Sequence, residues 1–138
     1  MTTSIIAFGG RPLTIKDVVE IANGKAQAAL SDAPEFVEKV DACVRFLDEL
    51  LEQDGVIYGV TTGYGDSCTV TVPENLVNEL PIHLTRFHGC GLGDTFDEQE
   101  TRAILATRLS SLAQGYSGVS WELLERLVVM LNENMLPL

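Results

Sequence analysis

Between Pro34 and Gly55, Phe36, Val37, Val40, Val44, Leu47 and Leu51 recur by threes and fours. That spacing puts all six on one face of an α-helix, which must bury the face against another element. Pro34 suits the first helical turn, where its missing N–H costs nothing, and Gly55 is a natural stop. The same grammar recurs on both sides. Thr14 caps a stretch through Ile15, Val18, Val19 and Ala22 that ends before Gly24. Pro73 opens a third helical stretch that Pro81 kinks or restarts. A fourth helix begins near Thr95–Asp97, where Asp97 and Glu100 have capping-box spacing, and runs to Gln114 before Gly115. Ser120 caps a fifth through Leu123, Leu124, Leu127, Val128 and Leu131 to about Asn134, closed by Pro137. The expected class is mainly α.

Two interruptions break this pattern. Val56-Ile57-Tyr58-Gly59-Val60-Thr61-Thr62 is β-branched and aromatic and too short for a helix. It predicts an extended segment, followed by a mobile Gly-rich loop through about Val72. Gly89, Gly91 and Gly93 form the second break. Met1–Gly10, with Ile5, Ile6 and Phe8 before Gly9-Gly10, predicts a loose or strand-like start. No internal repeat or Pro/Ser-rich linker divides the sequence, so residues 1–138 are expected to be one segment.

Charge narrows the function classes. Nine Lys+Arg against 20 Asp+Glu leave a net charge of −11. Such a chain repels a phosphate backbone, which argues against nucleic-acid binding. An apolar share of 46% suits a packed core. No apolar run is long enough to span a membrane, and the N-terminus lacks the pattern of a signal peptide. Cys43, Cys68 and Cys90 are odd in number and widely spaced, which predicts reduced thiols and a cytoplasmic setting.

The glycine-rich breaks are where chemistry is expected. His83 and His88 stand five apart, off the spacing that places two metal ligands on one helix face, so no metal is expected. Gly89-Cys90-Gly91-Leu92-Gly93 departs from a dinucleotide-binding frame in both spacing and context. Thr61-Thr62-Gly63-Tyr64-Gly65 shares its spelling with a potassium-channel filter but lacks the surrounding membrane helices. Tyr58 allows two readings. It is a core tyrosine with a bonded hydroxyl, or a phenol beside a loop able to close over a ligand, where it could act as a base. Phe87-His88 poses the same choice between core and the lining of a ring pocket.

Taken together, Tyr58-Gly59-Val60-Thr61-Thr62-Gly63-Tyr64-Gly65 closely resembles the Y-G-V-[NT]-T-G-[FY]-G motif of the aromatic amino acid ammonia-lyases, which include the histidine, phenylalanine and tyrosine lyases and their aminomutase relatives. Further matches follow in the family's order: Pro12-Leu13-Thr14, Leu84 through Gly93, Arg102-Ala103, Arg108-Leu109, Gly115 through Val119, and Leu131-Asn132. The resemblance implies the N-terminal portion of the ammonia-lyase fold, in the fumarase/aspartase-like superfamily. It implies that Tyr58 is the catalytic base, that Gly65 lines the active site, and that Phe87 and His88 contact the substrate ring. Phe-His mixes the pairs typical of the substrate classes. Phe87 favours tyrosine or phenylalanine, and His88 leaves histidine second.

The family's electrophile, methylidene-imidazolone (MIO), is made from an internal Ala-Ser-Gly, a triad absent from these 138 residues. The resemblance therefore implies a segment ending before that triad and inactive alone. A remaining lyase chain or a complementing chain would complete it, usually in a homotetramer. Elimination of ammonia to the α,β-unsaturated acid is the implied reaction. An aminomutase of the same family and a non-catalytic module that keeps the N-terminal fold are the alternatives.

Overall fold

The computed structural model describes residues 4–53 and 55–137. Its elements run β1 (Ser4–Phe8), α1 (Ile15–Ala22), β2 (Ala26–Leu30), α2 (Pro34–Glu52), α3 (Leu80–His88), α4 (Glu98–Leu112) and α5 (Trp121–Asn132). Two units divide the chain. One comprises Met1–Phe46 with Thr95–Leu138, the other Leu47–Asp94, so α2 begins in the first and ends in the second. Residues 1–3 of the expected extended start lie outside the described residues.

Local chemistry sets most helix starts in the first unit. Thr14 accepts the Asp17 N–H while the Asp17 carboxylate accepts the Thr14 N–H, a reciprocal cap that opens α1. Asp97 and Glu100 repeat the arrangement for α4, and Ser120 caps α5 through the Leu123 N–H. The buried core lies here: Ile6 and Phe8 from β1, Ala26 and Ala28 from β2, Ile21, Phe36 and Val40, then Leu105, Leu109, Leu124 and Leu131. Helix α4 packs on α1 and α5, and α5 packs on β2.

One strand was not anticipated. Ala26–Leu30 pairs in parallel with β1, from Ser4 opposite Ala26 to Phe8 opposite Leu30. Alanine carries little strand preference, so nothing local announces it. Its other edge is completed from far away. The Asn132 amide donates to Ala28 O and accepts the Ala28 N–H, both at 2.9 Å, much as a neighbouring strand would.

In the second unit the helix expected from Pro73 divides as foreseen at Pro81. A short 3-10 turn (Glu74–Glu79) leads into α3, with proline in the first turn. The extended segment expected over Val56–Thr62 is instead a turn through residues 58–61. Val60 and Thr61 both donate backbone N–H groups to Ile57 O, at 3.1 and 3.0 Å, and Gly59 has φ +72°. The β-branched composition favours a strand, but among the described residues this segment has no partner strand beyond the single bridge of Thr62 with Thr71. Threonine side chains satisfy the backbone locally in its place. Among the described residues of this unit only Thr62 is buried, so the unit has no apolar core of its own.

Candidate functional site

All four residues singled out by sequence, Tyr58, Gly65, Phe87 and His88, lie in the second unit. They form two pairs. Tyr58, 65% exposed, is the turn's first residue, and its hydroxyl oxygen accepts the Gly65 N–H at 3.0 Å. The Tyr64 ring meets Tyr58 edge-on, with centroids 6.4 Å apart and planes at 90°. Phe87 and His88 end α3 with ring centroids 4.8 Å apart; both are exposed, Phe87 by 58%. No hydrogen bond or ring contact among the described residues joins one pair to the other.

The loop after Tyr58 is closed at its base. Gly63 N–H donates to Val70 O at 3.0 Å and Val72 N–H to Thr61 O at 2.9 Å, around an antiparallel bridge of Thr62 with Thr71. Within it, Gly65–Thr69 makes a 3-10 turn that carries the Gly65 N–H back to the phenol. Gly63 is needed for close approach, because a Cβ there would sit 2.7 Å from Ser67 O and 2.8 Å from Ser67 Cβ. The phenol is thus presented on the surface by a loop whose shape is set by its own backbone. One N–H orients the oxygen and leaves its remaining hydrogen-bonding capacity for another molecule.

Thr61 and Thr62 have a role that their place in the motif alone does not announce. Thr61 Oγ1 accepts the Ile57 N–H at 2.8 Å and donates to Gly55 O at 3.0 Å. Thr62 Oγ1 accepts the Gly59 N–H at 3.2 Å. The usable signal was the pair of threonines three and four residues after the tyrosine's flanks, within reach of local backbone groups.

The remaining polar groups are less suggestive. His83 Nε2 lies 3.6 Å from Glu79 Oε2 on an exposed face. Among the described residues, no three His, Cys, Asp or Glu side chains gather as a metal set, and no helix is long and apolar enough to cross a membrane. The three cysteines are free, with Cys43 accepting the Gly118 N–H at 3.2 Å.

Residues 13–138 match the family described as aromatic amino acid lyase. A histidine ammonia-lyase of Streptococcus pyogenes serotype M3 is 38% identical over 136 residues, covering 98% of this chain and 26% of that protein. Among solved structures, tyrosine aminomutase from Streptomyces globisporus is 37% identical with a TM-score of 0.85, over 94% of this chain and 24% of the other. Phenylalanine aminomutase from Pantoea agglomerans is 26% identical with a TM-score of 0.83, over 94% and 25%. The chain spans about a quarter of the length of the curated relatives it matches. Its mainly helical architecture is the fold these lyases and aminomutases share. By sequence and by fold, the chain belongs to the aromatic amino acid lyase family.

Proposed function

We propose that this chain is the N-terminal part of an ammonia-lyase that eliminates ammonia from an aromatic L-amino acid to give the α,β-unsaturated acid. Tyrosine or phenylalanine is the first choice of substrate and histidine the second. The observation that carries this reading is the exposed Tyr58 phenol, oriented by the Gly65 N–H within a loop that spells the family's tyrosine motif. In this reading Tyr58 takes the substrate's β-proton, Gly65 lines the site, and Phe87 and His88 meet the substrate ring. A cytoplasmic homotetramer is the assembly proposed for the complete enzyme.

The MIO electrophile is a poor fit to this chain taken alone. These residues contain no Ala-Ser-Gly from which to form it. What the chain supplies is a positioned base and part of a ring pocket. The second unit has no buried apolar residue among those described, which suits a surface to be completed by further protein. An aminomutase is the second reading, favoured by the 37% identity to tyrosine aminomutase.

The test combines this chain with the rest of a lyase and measures formation of the unsaturated acid from L-tyrosine, L-phenylalanine and L-histidine. The chain alone should give none. In the assembled enzyme, Tyr58→Phe should lower kcat by about 10²–10⁴-fold, the usual worth of a positioned base. Unchanged turnover in that variant would refute the role of Tyr58, and a β-amino acid product would favour the aminomutase.

A further inference from the structure

We infer that Thr61 and Thr62 are positioning residues for Tyr58, holding its backbone from both sides so that the phenol meets the Gly65 N–H. This rests on the proposed role of Tyr58 as base and adds a device to it. The Ile57 and Gly59 amides flank Tyr58 in the chain. Each donates to a different threonine hydroxyl, Ile57 to Thr61 at 2.8 Å and Gly59 to Thr62 at 3.2 Å. Thr61 Oγ1 also donates to Gly55 O at 3.0 Å, anchoring the turn to the segment that enters it.

Thr62 is the informative member of the pair. It is 3% exposed, while every other described residue of the second unit is half-buried or exposed. A unit without an apolar core has thus buried one polar side chain, and that side chain bonds the amide next to Tyr58. Thr62 also stands opposite Thr71 at the bridge that Gly63 N–H and Thr61 O close, and its hydroxyl donates to Gly63 O at 3.0 Å. One hydroxyl therefore ties the amide beside Tyr58, through Gly59, to Gly63, whose own N–H anchors the loop that delivers Gly65. A bonded turn of this kind removes backbone freedom before a ligand arrives, which is how a base gains orientation without touching substrate itself.

The decisive variants are Thr62→Val, which keeps the shape and removes the hydroxyl, and Thr62→Ser, which restores it. In the ¹⁵N-labelled 138-residue chain, Thr62→Val should speed hydrogen exchange at Gly59 and Gly65 by about tenfold, as expected for loss of one local hydrogen bond. Ser should bring both back to near the wild-type rate. Thr61→Val should speed Ile57. Tyr58→Phe is the control, speeding Gly65 and leaving Gly59 unchanged. Amides of the first unit, Ala28 among them, report that the fold is retained.

In the lyase assembled from this chain and its remainder, Thr62→Val should lower kcat and leave KM near the wild-type value. Unchanged exchange at Gly59 and Gly65 in Thr62→Val, or no recovery with Ser, would overturn the inference, as would a shift confined to KM. These exchange rates need no turnover. Failure here is therefore distinct from failure of Tyr58 as a base, which Tyr58→Phe turnover reads separately.

Discussion

Replacing Arg102 with Met should cost the first unit about 3 kcal/mol. Arg102 is 7% exposed in α4, and its partners are oxygen atoms at the ends of two other helices. Nε donates to Ile21 O at 2.9 Å, and Nη1 to Leu131 O at 2.7 Å and Asn134 Oδ1 at 3.0 Å. Ile21 and Leu131 are the penultimate residues of α1 and α5, so one guanidinium faces the negative ends of two helix dipoles.

The three bonds are unequal in worth. Ile21 O also accepts the Gly24 N–H at 3.0 Å and so keeps a partner in the variant. Asn134 is exposed, and water can replace the guanidinium there. Leu131 O loses a short charge-assisted bond worth about 1.5–3 kcal/mol. The two helix termini lose a further ~0.5–1 kcal/mol each. Methionine relieves the burial of a charge, which returns part of the loss.

Trp121, the sole tryptophan, packs on Phe36 at 5.5 Å between centroids, and its fluorescence follows unfolding of this unit in urea. The midpoint should fall with the slope unchanged, and Tm should drop by about 10 °C. Arg102→Lys keeps the charge but loses the fork, and should recover less than half of the stability. A change below about 0.5 kcal/mol in Arg102→Met, within the scatter of ordinary surface substitutions, would refute the idea that this side chain ties the helix ends together.

Asp17 is held well below the usual carboxylate value of 3.8, first by the Arg11 guanidinium and then by the Thr14 N–H and hydroxyl. Because the folded value is depressed, its contribution is complete above the unfolded value and is lost as pH falls below it. Acid titration followed by Trp121 fluorescence should therefore show wild-type stability declining below about pH 4, with a shallower decline in Asp17→Asn; parallel curves would count against the pair. Asn132→Asp at pH 7 should cost about 2 kcal/mol in urea unfolding, because it keeps an acceptor for the Ala28 N–H and sets a carboxylate oxygen against Ala28 O. A midpoint equal to wild type would show that the strand edge does not need the amide.

The amino-acid sequence by itself determined where most helices begin and end. Thr14 with Asp17, Asp97 with Glu100, and Ser120 act through backbone groups three residues away, a range over which sequence neighbours are neighbours in space. Pro81 restarts a helix for an equally local reason. The tyrosine motif was legible as a spelling shared with the ammonia-lyases, while the turn and closing loop it builds between Ile57 and Thr71 were not. Tertiary structure decided the rest. β2 exists because β1 pairs with one edge and Asn132, 104 residues along the chain, completes the other. Val56–Thr62 has strand composition but, among the described residues, no partner strand, and its threonines bond the backbone into a turn instead. Arg102 looks like any helical surface cation until α1 and α5 bring their ends to it. In each of these cases a residue's role is set by a hydrogen-bonding partner, present or missing, that only the folded chain reveals.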